Sequence, residues 1–126
     1  MAVRVLYIED EEFFGKIILQ RLNKMGFDAV LAKGGEDAFA ALDTQEFGAI
    51  LLDLLLPGMD GFEILKKIKE TPRTKDIPVI VLSNLDTKAD REKARELGAA
   101  EFLVKVSTNP KDIGVTIANV LAAHQK

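Results

Sequence analysis

Four polar interruptions in otherwise apolar stretches supply the residues with the most chemical promise in this 126-residue chain. Asp53 breaks the run AILLDLLLP. An ionised carboxylate among such neighbours is costly unless it is paired, coordinated or at a polar edge, and the next helix start, near Asp60, is too distant for Asp53 to cap it. Glu9 and Asp10 head the acidic run EDEE, Ser83 and Asn84 close PVIVLSN, and Lys105 ends EFLVK. Taken singly, three of these clusters have ordinary explanations. Acids before a helix favour its N-terminus, a lysine after a strand is commonly a surface residue, and a serine at a strand end commonly forms a turn. Brought together, the three carboxylates form a concentration of like charge that is unstable without a cation. Oxygen donors without nitrogen or sulfur point to Mg2+, with Mn2+ as the other candidate, completing its octahedron with water and a backbone carbonyl. Opposite such a cation, Lys105 becomes a second electrophile for a phosphoryl group, and Ser83 can donate a hydrogen bond to one of its oxygens.

Composition excludes several other chemistries. The length is that of one domain, residues 1–126, able to bury a single sizeable core. There is no cysteine and one histidine, His124, so thiol nucleophiles, disulfides, zinc clusters and haem ligation are ruled out. A net charge of −3 disfavours direct binding to nucleic acid. No apolar run approaches the ~18 residues of a membrane span, and a cytoplasmic location without membrane contact is the expectation.

The elements that must position these residues alternate regularly. Apolar runs of strand length at residues 3–8, 28–32, 49–53, 78–82 and 101–104 are separated by stretches with helical spacing. The third and fourth runs are almost wholly apolar, as strands covered on both faces should be. Phe14, Ile18, Leu22 and Met25 mark a helix over 12–25, stopped by Gly26. A second runs over 35–45 around Ala38, Phe39 and Leu42. A third opens at Asp60, with Glu63 in a capping pattern and Phe62, Leu65 and Ile68 as its buried stripe, and ends by Pro72. Thr87 and Asp90 cap the fourth, which stops at Gly98. Asn109 and Pro110 open the fifth, with Ile113, Ile117, Val120 and Leu121 inward. Five such units predict an α/β fold: a single doubly wound, five-stranded parallel sheet with helices on both faces. Its expected order is 2-1-3-4-5, one of the two common arrangements. That order brings Glu9, Asp10, Asp53, Ser83 and Lys105 to one rim, beyond the carboxyl ends of the strands.

The spacing of IED, LLDLLLPGMDG, VLSN and AAEFLVK along essentially the whole chain resembles the receiver domain of bacterial two-component response regulators, with its flavodoxin-like architecture. The resemblance implies that Asp53 accepts a phosphoryl group and that Asp10 binds Mg2+ directly, with Glu9 helping through metal or water. It further implies that Leu55 offers its backbone carbonyl to the metal, that Ser83 is the switching hydroxyl, that Lys105 contacts the phosphate, and that Phe102 is a rotating aromatic switch. The implied function is a phosphorylation-dependent signalling switch that catalyses chemistry only on itself and is not otherwise an enzyme. Its implied partners are a sensor histidine kinase or phosphotransfer protein and a downstream protein or output domain. A homodimer through the fourth helix, fifth strand and fifth helix is a further candidate assembly.

Three departures from the family pattern stand out. Glu9 replaces the commoner aspartate and is one methylene longer. Val106 follows Lys105 where proline in a cis peptide is usual, and a non-proline cis bond costs about 2.5–4 kcal/mol, which favours a trans loop and a re-aimed lysine. Phe102 lacks the hydroxyl of the common tyrosine, so its switch must work by packing alone. The alternative function is a receiver-fold interaction module that works without phosphorylation. A flavin binder lacks its glycine-rich phosphate loop, since acids stand after the first strand. An aspartate-nucleophile phosphohydrolase lacks its acid-base carboxylate, since Leu55 stands in that place. Phe13, Phe14, Phe39, Phe47 and Phe62 are expected in the core, Tyr7 inside the first strand, and Met59 either over the site or at the surface. The charged series from Lys88 to Glu96 is expected to be a solvated helix face.

Overall fold

A computed structural model describes residues 2–56, 58, 60–85 and 87–124. Met59 lies outside these. The strands are β1 (Arg4–Ile8), β2 (Asp28–Ala32), β3 (Ala49–Leu52), β4 (Val79–Ser83) and β5 (Glu101–Val104), all parallel and in the order β2-β1-β3-β4-β5. The helices are α1 (Glu12–Lys24), α2 (Gly35–Thr44), α3 (Gly61–Glu70), α4 (Lys88–Glu96) and α5 (Pro110–His124), and a 3-10 turn spans Lys105–Ser107.

Strand alternation divides the core in two. Leu6 and Ile8 of β1 face a layer with Leu42 of α2, Ile64, Leu65 and Ile68 of α3, and Ala94 of α4. Val5 and Tyr7 face the other way, onto Ile18 and Leu22 of α1 and Ile113 and Ile117 of α5. Every residue of β3 and β4 is buried, in keeping with their apolar sequences.

Local chemistry sets the ends. Gly26 and Gly98 take positive φ (98° and 103°) where α1 and α4 finish, a conformation open to glycine at little steric cost. Asp60 Oδ1 accepts from the Phe62 N–H at 2.9 Å, Thr87 Oγ1 from Asp90 at 3.0 Å, and Asn109 Oδ1 from Asp112 at 2.9 Å. Several element ends lie one residue from the positions expected from the sequence, and two of these bear on the site. β3 stops at Leu52, so Asp53 stands just past the strand, although its N–H still donates to the Ile8 carbonyl at 3.1 Å. β4 runs on to Ser83, because its pairing with β5 continues through Ser83 opposite Val104.

The aromatic expectation needs one correction. Phe47 and Phe62 are buried, and Phe14 and Phe39 half-buried, but Phe13 is 73% exposed. The Phe14–Ile18–Leu22 stripe fixes the phase of α1 and turns Phe13, with Ile17 one turn on, toward solvent. On α4 only Ala94 is buried. Its charged face nonetheless covers aromatic rings: the Arg91 guanidinium lies 5.1 Å from the Phe102 ring centre, and the Lys93 ammonium 4.3 Å from that of Phe62.

Candidate phosphoacceptor and metal site

The carboxyl ends of β1, β3, β4 and β5 deliver the predicted residues to one rim, and three carboxylates meet there. Glu9, Asp10 and Asp53 each present an oxygen within 4.8 Å of the others. Glu9 and Asp53 are buried, at 1% and 3% exposure, whereas Asp10 faces solvent. Three hard oxygen donors converging at this spacing, one of them on the open side, fit a Mg2+-like cation.

Lys105 crosses from the end of β5 to join them. Its ammonium lies 2.6 Å from Glu9 Oε1 and 3.0 Å from Asp53 Oδ2, and 4.6 Å from the Phe14 ring centre. The Lys105–Val106 peptide is trans, and the chain turns there into the 3-10 segment. The side chain still reaches Asp53, aided by Asn84, whose Oδ1 accepts from the Val106 N–H at 3.1 Å and ties the turn to β4.

Further hydrogen bonds fix the carboxylates. Asp53 Oδ1 accepts from the Leu55 N–H at 3.0 Å, leaving the Leu55 carbonyl out of that bond. Glu9 Oε2 accepts from the Glu11 N–H at 3.2 Å, and Glu9 Oε1 from the Tyr7 hydroxyl at 2.9 Å. Burial raises the Glu9 carboxyl above its usual range; the Lys105 hydrogen bond pulls the other way, and the Asp53 charge adds to the rise. Burial alone would lower Lys105, but its two carboxylate partners outweigh that and hold it above the ordinary lysine value. Tyr7 is raised by burial first and then by the charge of Glu9, so its hydroxyl remains a donor.

Ser83 is fully buried at the end of β4, and its Oγ accepts from the Leu85 N–H at 3.2 Å. Phe102 lies half-buried in β5, beneath Arg91. His124 is exposed at the end of α5, remote in the fold from this rim.

Two contributors escaped the sequence reading. Tyr7 reads from the sequence as an ordinary strand residue, yet the two-residue strand period places it on the same face as Glu9, and its hydroxyl joins the site. Phe14 reads as a core position by its helical spacing, and its ring also lies under the Lys105 ammonium.

Comparison with known proteins gives a consistent result. The family model for the response regulator receiver domain matches residues 5–117. The response regulator PleD of Caulobacter vibrioides is 35% identical over 105 residues, covering 83% of this chain and 23% of PleD. The transcriptional regulatory protein PcoR of Escherichia coli is 33% identical over 117 residues, covering 93% of this chain and 49% of PcoR. The chain therefore spans less than half the length of either relative. A crystal structure of a putative response regulator from Chloroflexus aurantiacus superposes with a TM-score of 0.90 at 25% identity, covering 97% of this chain and 99% of that one.

Proposed function

The chain belongs to the response regulator receiver domains, and from that premise we propose that it is a phosphorylation-dependent switch in which Asp53 accepts a phosphoryl group from a histidine kinase or phosphotransfer protein. The observation that supports this most strongly is the Lys105 ammonium held between Glu9 and Asp53, beside the exposed carboxylate of Asp10. In the proposed step one Asp53 carboxylate oxygen forms a bond to phosphorus while the bond from phosphorus to the donor's imidazole nitrogen breaks. The electron pair returns to the imidazole, which takes a proton from water. Mg2+, or Mn2+, would be held by Asp10 and Asp53 with Glu9 and the Leu55 carbonyl, and would supply positive charge for the incoming phosphoryl oxygens. Lys105 supplies a second, fixed positive charge and already contacts the acceptor carboxylate. Ser83 is the hydroxyl that turns its proton toward the new phosphoryl group, after which Phe102 repacks and changes the α4, β5 and α5 surface.

The chain's only chemistry in this reading is on its own aspartate. Its readers are a downstream protein or output domain, or a second copy through α4, β5 and α5, and its expected location is the cytoplasm. Among the described residues no helix is long and apolar enough to cross a membrane.

Intact mass after incubation with acetyl phosphate and Mg2+ tests the proposal. One phosphoryl adduct is expected on the wild type, none on Asp53→Asn, and none in EDTA. A wild type that stays unlabelled while folded and supplied with Mg2+ would instead identify a receiver-fold interaction module that works without phosphate.

A further inference from the structure

The hydroxyl of Tyr7 is buried in the sheet, and among the described residues its partner is a side chain and not the backbone. It donates to Glu9 Oε1, the same oxygen that Lys105 holds. Two donors, at 2.9 and 2.6 Å, thereby occupy Oε1, whereas among the described residues Oε2 receives one, the Glu11 N–H at 3.2 Å. A carboxylate oxygen accepts about two hydrogen bonds, so Oε1 is filled and Oε2 retains a lone pair. The stem of Glu9 has little freedom to exchange the two oxygens. The side chain is buried, and α1 passes so close that a Cβ on Gly15 would stand 3.4 Å from Glu9 Cγ.

We propose that Tyr7 is a positioning residue for the cation site: by donating to Glu9 Oε1 alongside Lys105, it commits that oxygen to the lysine and leaves Oε2 for the metal or a metal-bound water. This rests on the metal-dependent reading above. It also accounts for the longer acid at position 9. The extra methylene lets one carboxylate span from the tyrosine and lysine to the cation, with Tyr7 setting which oxygen serves which partner.

Tyr7 is the only tyrosine and there is no tryptophan, so the phenol absorption band of the whole protein reports on this one hydroxyl. Mg2+ alone is the probe, followed in parallel by calorimetry and by near-ultraviolet difference spectra. In the wild type the tyrosine band is expected to shift with the same midpoint as the heat of Mg2+ binding. In Glu9→Ala, where Asp10 and Asp53 remain, any residual Mg2+ binding should leave the band unmoved. Tyr7→Phe, which keeps the ring's volume, is expected to weaken Mg2+ by about fivefold, in line with one lost hydrogen bond. Adding Tyr7→Phe to Glu9→Ala should bring no further loss, since the tyrosine acts through Glu9. Calorimetric binding with a silent tyrosine band in the wild type overturns the inference, as do losses that add in the double variant. Should Tyr7→Phe fail to fold, the wild-type and Glu9→Ala spectra decide alone. A wild type that takes up no Mg2+ at all removes the metal reading and this inference with it, a result distinct from binding without a tyrosine signal.

Discussion

Replacing Gly61 by alanine offers a sharp test of how the loop after Asp53 is held. Gly61 is the first residue of α3, and its N–H donates to the Leu54 carbonyl at 3.2 Å. A Cβ there would stand 2.6 Å from Leu54 O and 2.8 Å from Leu54 C, with the Leu54 Cα closer still. Carbon–carbon contacts are optimal at about 3.5–4.0 Å, so the two backbones must part by at least roughly 0.7 Å. No side-chain rotation can relieve a clash between backbone atoms. Overpacking of this kind costs about 1–3 kcal/mol, and stretching the Gly61–Leu54 hydrogen bond adds about 0.5–1.5 kcal/mol. Alanine's better helix propensity returns at most about 1 kcal/mol. The net expectation is a loss of about 0.5–3.5 kcal/mol in urea unfolding. Because Leu54 lies between Asp53 and Leu55, the Leu55–Asp53 hydrogen bond shifts with it, and acetyl phosphate labelling of the folded variant should slow. Gly34→Ser is the control, since nothing lies within 4 Å of a Cβ there, and it should change stability by less than about 0.5 kcal/mol. A Gly61→Ala variant as stable and as readily labelled as the wild type would refute the close-approach reasoning.

Asp10→Ala is expected to weaken Mg2+ more than Glu9→Ala in calorimetric titration, because Asp10 is the solvent-facing carboxylate while Glu9 is already engaged by three donors. Lys69→Ala should destabilise by about 1–2 kcal/mol in urea, since its ammonium donates to the Lys75 and Ile77 carbonyls at 3.1 and 2.7 Å. Burial holds Lys69 below the ordinary lysine value, against a smaller opposing pull from Asp76. The unfolded chain thus binds the extra proton between that lowered value and about 10.4, so stability rises with pH across this window. The rise should be smaller in Lys69→Gln when the two urea curves are compared pH by pH. Finally, a beryllofluoride phosphate mimic should move the amide resonances of α4 and Phe102. Inward burial of that ring is worth about 1.5–3 kcal/mol, below the roughly 5.5 kcal/mol that carries a two-state equilibrium from 1:99 to 99:1. Shifts confined to the neighbours of Asp53 would count against the Phe102 switch.

The sheet was legible in the sequence because its strands are short apolar runs and its helices carry explicit stops and caps, such as Gly26, Asp60 and Thr87. Asp53 was legible because a lone carboxylate in an apolar run needs an explanation. Phe13 lies beside the helical stripe rather than on it, and the phase set by Phe14, Ile18 and Leu22 turns it outward. The link from Lys105 to Glu9 joins residues 96 positions apart in sequence, and no local pattern encodes it. Tyr7 was an intermediate case: strand alternation places it beneath Glu9, but only the fold brings its hydroxyl to the carboxylate.

The sparse anchoring of α4 gives the molecule an uneven resistance to opening. With Ala94 as its one buried residue and cations laid over aromatic rings on its flank, α4 has little apolar area to lose when it lifts from the sheet. β3 and β4, buried throughout, can open only with the whole domain. Amide protons along α4 should therefore exchange with solvent through frequent local excursions, while those of the central strands wait for global unfolding. A small bias at the rim is then taken up in the segment that is cheapest to move, and the strands carrying the carboxylates stay in register.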